Sequence, residues 1–103
     1  MINVKHSLQR AFDEYGLTFH VVRCARVLTD TDAERVVSLP ELFTDNEYAA
    51  FWSDLDFCEH PHNLIGCVWL HDGGWMDYEC GETGYEWVRY RAPVIPPVMR
   101  REN

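Results

Sequence analysis

Residues 64–91, LIGCVWLHDGGWMDYECGETGYEWVRYR, hold three short runs rich in apolar residues, separated by two turn sequences. Apolar and polar residues alternate in these runs, which is typical of strands that bury one face. Asp72-Gly73 is a strong signal for a two-residue hairpin loop, and Gly-Glu-Thr-Gly at 81–84 predicts a second turn. The stretch therefore predicts antiparallel strands at 64–70, 75–80 and 85–91.

The two turns also predict which side chains share a face of the sheet. A two-residue loop at Asp72-Gly73 would pair Trp69 with Met76, and the second turn would pair Glu79 with Glu86, two carboxylates that repel. The predicted core face carries Ile65, Cys67, Trp69, Met76, Tyr78, Cys80, Tyr85 and Trp87. The predicted outer face carries Val68, Leu70, Trp75, Asp77, Glu79, Glu86, Val88 and Tyr90.

The first half of the chain predicts two helices. Apolar residues recur at helical spacing over 4–15, and Gly16 follows at a position typical of a helix end. Thr44 and Glu47 match a capping box, in which each side chain satisfies a backbone N–H of the other. They predict a helix over 44–55, with Tyr48 and Trp52 on its apolar face.

The remaining segments complete the predicted architecture. Residues 17–28 are rich in β-branched and apolar side chains and predict a strand, while Val36-Val37 predicts a short extended piece. Residues 56–63 are interpreted as a loop, and 92–103 as an extended proline-rich tail. The chain is thus predicted to be a single α+β domain, with an antiparallel sheet of three to four strands and two helices.

Charge excludes several classes of partner. The chain has 103 residues, 9 Lys and Arg against 17 Asp and Glu, and a net charge of −8. Binding nucleic acid or an anionic membrane through a broad basic surface is therefore not expected. No apolar run of signal-peptide or membrane-spanning length occurs. We expect a cytoplasmic protein with free thiols and no cofactor.

The sequence supports three kinds of reactive site only weakly, and of these a metal site is the alternative to a docking protein. Cys58, His60 and His62, with Cys67 or Cys80, include the ligand types that zinc prefers, but their spacing matches no zinc-finger pattern. A Cys–His nucleophile lacks any local signature. Paired carboxylates for acid–base catalysis at Asp77, Glu79 and Glu86 would need a pocket that so short a chain has little room to form. A non-enzymatic role is therefore expected.

The acidic residues predict a docking surface instead. Residues 29–60 hold nine acidic residues and one basic residue, Arg35, although such charge can also serve only solubility. Complementary fields speed association with a basic surface, and neighbouring aromatic rings would supply contact energy. The expected partner is the basic surface of a nucleic-acid-handling complex, and a homodimer is the alternative. The predicted partner-binding residues are Asp30, Asp32, Glu34, Asp45, Glu47, Asp54, Asp56, Trp75, Asp77, Glu79 and Glu86.

One region resembles a known class of protein. The segments VWLHDGGW at 68–75, GYEW at 84–87 and PVIP at 93–96 look like the C-terminal hairpin of small proteins from phages and mobile elements. Small acidic proteins of that kind resemble inhibitors of host defence of the anti-CRISPR or anti-restriction type, some of which mimic nucleic acid. The resemblance implies an inhibitory binding protein, and it assigns no residue a role.

Overall fold

The computed structural model describes residues 1–31 and 34–91. The predicted tail at 92–103 and the predicted site residue Asp32 lie outside the described residues. The elements in chain order are β1 (Ile2–Asn3), α1 (Val4–Tyr15), β2 (Val22–Thr29), β3 (Val36–Leu39), α2 (Asp45–Asp54), β4 (Cys58–Glu59), a 3₁₀ turn (Pro61–Asn63), β5 (Leu64–Leu70), β6 (Trp75–Gly81) and β7 (Gly84–Tyr90).

The fold is α+β, as predicted, with more strands than predicted. Five antiparallel strands form one sheet in the order β3-β2-β5-β6-β7, and β1 pairs with β4 in a two-stranded sheet. The extra strands are short: β3 has four residues, and β1 and β4 have two each. A two-residue strand forms only because the tertiary structure brings its partner strand alongside, so no local sequence pattern predicts it.

Both predicted helices are present. The helix predicted over 4–15 is α1, capped by the Asn3 side chain, which accepts a hydrogen bond from the His6 N–H at 3.0 Å. Gly16 ends α1 in the left-handed conformation that glycine favours. The capping box of Thr44 and Glu47 is also present and opens α2. None of the described helices is long and apolar enough to cross a membrane.

The strand predicted over 17–28 begins five residues later. After Gly16 the chain turns twice, with the Val21 N–H donating to the Thr18 carbonyl and the Val22 N–H donating to the Phe19 carbonyl. The β-branched run starts to pair only at Val22, where it meets Leu70 of β5. Apolar composition alone could not separate these turns from the strand that follows.

The first hairpin has a three-residue loop, so the predicted two-residue loop is wrong. Trp69 pairs with Trp75, and the Leu70 N–H donates to the Gly74 carbonyl at 2.9 Å. Gly73 has φ +87°, and the Asp72 carboxylate accepts the Gly74 N–H at 2.8 Å. This backbone hydrogen bond keeps the pKa of Asp72 below its ordinary value. A turn followed by a left-handed glycine is the usual build of a three-residue hairpin loop.

This one-residue shift reverses the predicted faces of β5. Leu64, Gly66, Val68 and Leu70 point into the core, whereas Ile65, Cys67 and Trp69 lie on the outer face. The second hairpin has the predicted register, including Glu79 opposite Glu86. Side chains alternate sides along a strand, so a register error of one residue moves a whole strand's apolar set to the wrong face.

The core lies between the helices and one face of the five-stranded sheet. Val4, Leu8 and Phe12 of α1 and Phe51 of α2 belong to the same buried cluster. The sheet contributes its inward residues to that cluster: Val22, Ala25, Val27, Val37, Leu39, Leu64, Val68, Leu70, Met76 and Trp87. Both helices therefore cover one side of the sheet, and we name the opposite side the outer sheet face.

Leu42, just before α2, holds a left-handed backbone conformation with φ +57° and is 95% exposed. This conformation costs an L-residue about 1 kcal/mol or more, and the exposed side chain returns little packing energy. We expect Leu42→Gly to stabilise the fold by about 0.5–1 kcal/mol, because the strain exceeds the entropy that glycine adds to the unfolded chain. Urea unfolding of the two proteins measures this difference. A destabilised variant would contradict the strain account.

Candidate functional site

The predicted docking residues divide between two opposite sides of the molecule. Asp45, Glu47 and Asp54 lie on or at the ends of α2, which packs on the core side of the sheet. The second group lies on the outer sheet face, because its members alternate with the inward residues Met76 and Trp87: Trp75, Asp77, Glu79 and Glu86. A single flat partner surface cannot contact both groups.

Three further predicted residues lie outside these two groups. Asp30 and Glu34 are exposed in the connection between β2 and β3. Asp56 follows α2, and its carboxylate accepts a hydrogen bond from the Asn3 side chain at 3.0 Å. Arg35, next to Glu34, lies 4.2 Å from the ring centroid of Phe57. The exposed acids near the end of α2 therefore extend towards the β2–β3 connection.

The carboxylates of α2 are exposed and free of cationic partners among the described residues. Asp45 and Glu47 occupy the first turn, where the helix dipole favours negative charge. Asp54 lies at the opposite end, where the dipole disfavours it. The ion pairs in the described part of the chain are Arg23–Glu41 and Arg89–Asp72, and neither involves α2. The negative potential of α2 is therefore not neutralised by these pairs.

An aromatic crevice lies between α1 and α2, on the same side of the sheet as these carboxylates. Phe12, Tyr48 and Trp52 line it, and Phe12 meets Trp52 edge to face with ring centroids 5.3 Å apart. Gln9 and Asp13 of α1 form its polar rim, and its volume is about 560 Å³. We name the α2 carboxylates Asp45, Glu47 and Asp54, together with this crevice, the helix-side surface.

Sequence reasoning identified part of the helix-side surface. The helical spacing of Tyr48 and Trp52 placed both on the apolar face of the predicted helix, and both are half-buried in the structure. Gln9 and Asp13 were missed, because only the packing of α1 against α2 brings them there. No family model, curated protein or solved structure matches the chain.

The outer sheet face presents three in-register rows of side chains. An aliphatic row joins Val36, Leu28 and Ile65. A polar row joins Ser38, Arg26, Cys67, Asp77 and Val88. An aromatic row joins Cys24, Trp69, Trp75 and Tyr90. Val36, Ile65 and Trp69 are 48%, 52% and 42% exposed, so this face keeps large apolar groups in contact with water.

Two carboxylates of the outer face are held by neighbouring aromatic rings. The Trp75 indole N–H donates to Asp77 at 3.1 Å, and the Tyr90 hydroxyl donates to Glu79 at 2.6 Å. The hydrogen bond to the Glu79 carboxylate raises the pKa of Tyr90. The rings of Trp75 and Tyr90 stack with centroids 5.5 Å apart. These contacts hold both carboxylates against the aromatic row.

The residues of the alternative metal site are not brought together. The described residues contain no group of three or more His, Cys, Asp or Glu side chains placed to hold a metal ion. Cys58 lies in the two-stranded sheet, whereas Cys67 lies on the outer face of the five-stranded sheet. The rings of His60 and His62 stack on each other with centroids 5.3 Å apart. Among the described residues, none of the hydrogen bonds joins a cysteine to a histidine.

The Cys67 thiol should react far more slowly than an ordinary thiol. Burial, assisted by the neighbouring Asp77 carboxylate, raises the pKa of Cys67 from 9.0 to about 12. Because only the thiolate is nucleophilic, we expect iodoacetamide at pH 8 to label Cys67 at least tenfold more slowly than an exposed thiol. Exposed Cys58 and Cys80 serve as internal references in peptide mass spectrometry. Equal labelling of all three would contradict the expectation.

Proposed function

We propose that this chain is a non-enzymatic binding protein that docks its helix-side surface onto a basic surface of a larger macromolecule. The observation that carries the proposal is the combination, on one side of the molecule, of α2 carboxylates without cationic partners among the described residues and a crevice lined by Tyr48 and Trp52.

Each part of this surface has a physical task. The carboxylates attract a positively charged partner over a distance of about one Debye length, which raises the rate of encounter. Tyr48 and Trp52 then offer half-buried rings to a partner side chain, and such rings carry much of the energy of protein interfaces. Solubility would need only the charge, so the presence of a crevice on the same side of the molecule favours docking over a purely solubilising role.

The specific form of the proposal is an inhibitor of the phage type. A basic surface that normally holds DNA or RNA is the kind of target that an acidic protein can occupy, and the resemblance of the C-terminal hairpin region supports this class. The acidic balance of 29–60 supplies the charge.

Capture from a bacterial lysate tests the proposal when it compares two variants of equal net charge. The helix variant Asp45→Asn/Glu47→Gln/Asp54→Asn removes three charges from α2, and glutamine at 47 keeps the capping box. The hairpin variant Glu79→Gln/Glu82→Gln/Glu86→Gln removes three charges from β6 and β7 and the turn between them. Each tagged protein is used at low and at high salt.

We expect wild type and the hairpin variant to retain the same nucleic-acid-handling complex at low salt and to release it at high salt. The helix variant should retain little of it. Equal loss in both variants would mean that net charge alone acts. Retention by the helix variant would contradict docking through α2.

A further inference from the structure

The outer sheet face is uncovered among the described residues, and both helices lie on the other side of the sheet. Its aliphatic and aromatic rows flank the polar row, so apolar side chains border it on both sides. Exposing tryptophan and isoleucine on an open sheet face raises the free energy of the protein in water. Packing a second surface on that face lowers this free energy.

The charges of the polar row are placed symmetrically about the centre of the sheet. β5 is the middle strand of the five, and Cys67 lies on it. Arg26 pairs with Cys67 from one side and Asp77 pairs with it from the other. Arg26 is exposed and takes part in neither of the ion pairs in the described residues. A 180° rotation about an axis along β5 exchanges the positions of β2 and β6, and hence of a positive and a negative side chain.

We propose that the outer sheet face binds the same face of a second copy of the chain, with the two-fold axis running along β5. In this dimer Arg26 of each copy lies opposite Asp77 of the other copy, so the interface holds two such pairs. Ile65 and Trp69 lie on the axis and pack against their own copies. A two-fold axis across the strands would instead place Arg26 against Arg26, so the charges select the first arrangement.

The available area agrees with a dimer of moderate affinity. Five strands about 4.8 Å apart, rising about 3.3 Å per residue, give the face a flat area of roughly 500 Å². Two copies would bury about 1,000 Å², without counting the additional area of protruding side chains. This area is near the lower limit for a specific interface. Glu86 lies on the edge strand β7, where an interface rim keeps it hydrated, and Glu79 on β6 keeps the hydrogen bond that its carboxylate accepts from the Tyr90 hydroxyl.

Sedimentation equilibrium between about 1 and 300 µM tests this dimer. Wild type should approach twice its mass of 12.1 kDa with rising concentration. Arg26→Asp and Asp77→Arg should each weaken self-association at least tenfold, because each places like charges opposite each other twice. Arg10→Asp makes the same charge change on α1 and should leave the dimer intact.

Mixing the two weakened variants gives the decisive result. In the mixed pair, the introduced aspartate faces the introduced arginine, and the native Asp77 faces the native Arg26. We expect a heterodimer to form at concentrations where each variant alone is monomeric, an outcome that a folding defect cannot produce. A monomeric wild type, or variants that remain dimeric when alone, would overturn the proposal. The helix-side surface plays no part in this dimer, so capture and self-association fail or succeed independently.

Discussion

Replacing Gly66 by alanine should destabilise the fold by about 3 kcal/mol and lower the Tm by about 15 °C. Gly66 points into the core from β5, and the indole of Trp87 reaches it across β6. A Cβ at position 66 would lie 2.9 Å from Cζ3 of Trp87 and closer still to Cη2. The indole cannot simply move away, because it is 5% exposed and its N–H donates to the Ser7 hydroxyl at 3.1 Å.

Two comparisons separate this clash from the general effect of replacing a strand glycine by alanine. Gly81→Ala brings a Cβ close to the flexible end of Glu86 and leaves the Gly84 carbonyl oxygen at an ordinary contact distance of 3.5 Å, so it should change the Tm little. In a Trp87→Phe background the clashing ring atoms are absent, and Gly66→Ala should then cost less than about 1 kcal/mol. Thermal unfolding of wild type, Gly66→Ala, Trp87→Phe and the double variant measures the coupling. An equal loss in both backgrounds would contradict the packing of Gly66 against Trp87.

Association with the captured partner should be slowed about tenfold or more in the helix variant at low salt. The loss should fall on the association rate constant, because the α2 carboxylates act by attraction before contact. The difference from wild type should shrink as ionic strength rises towards about 0.5 M, where the Debye length is only a few ångströms. Stopped-flow or surface-binding kinetics with the purified partner measures both rates.

The hairpin variant is the matched control for these kinetics. It has the same net charge as the helix variant, and its association rate should stay within about threefold of wild type. Removing Glu79 and Glu86 also ends a cross-strand repulsion, so this variant should remain folded. A slower rate in both variants would assign the effect to net charge rather than to the helix-side surface.

Local rules predicted the parts of the fold that local chemistry determines. The capping box at Thr44 and the glycine after Tyr15 mark helix ends through hydrogen bonds within a few residues, and both helices formed where predicted. The second hairpin followed in the same way, because two residues between Gly81 and Gly84 leave one register for the strands beside them.

The first hairpin was mispredicted because two loops compete for the same residues. Asp72-Gly73 suits a two-residue loop, but Gly73 in the left-handed conformation and the bond from the Gly74 N–H to Asp72 favour a loop of three. This register error of one residue had a large effect on the predicted faces. It assigned Ile65 and Trp69 to the core, whereas both are exposed on the outer sheet face. The exposed rows of that face could not be foreseen from the wrong register.

The predicted docking surface combined residues from two opposite sides of the sheet for a related reason. Acidic residues of the middle segment and of the last hairpin were combined because both were charged and near aromatic residues. Which side of a sheet a helix covers depends on tertiary packing, and α2 covers the side opposite Asp77. The crevice beside Trp52 likewise needs Asp13 and Phe12 of α1, which are distant in sequence.

Carboxylate footprinting of the complex tests most directly whether the helix-side surface is the docking site. Carbodiimide coupling of glycine ethyl ester is measured by peptide mass spectrometry for the chain alone and for the chain bound to its captured partner. Docking through the helix-side surface should strongly protect Asp45, Glu47 and Asp54 on binding and leave Glu82 and Glu86 labelled as in the free chain. Unchanged labelling of the three α2 carboxylates in the complex would contradict it.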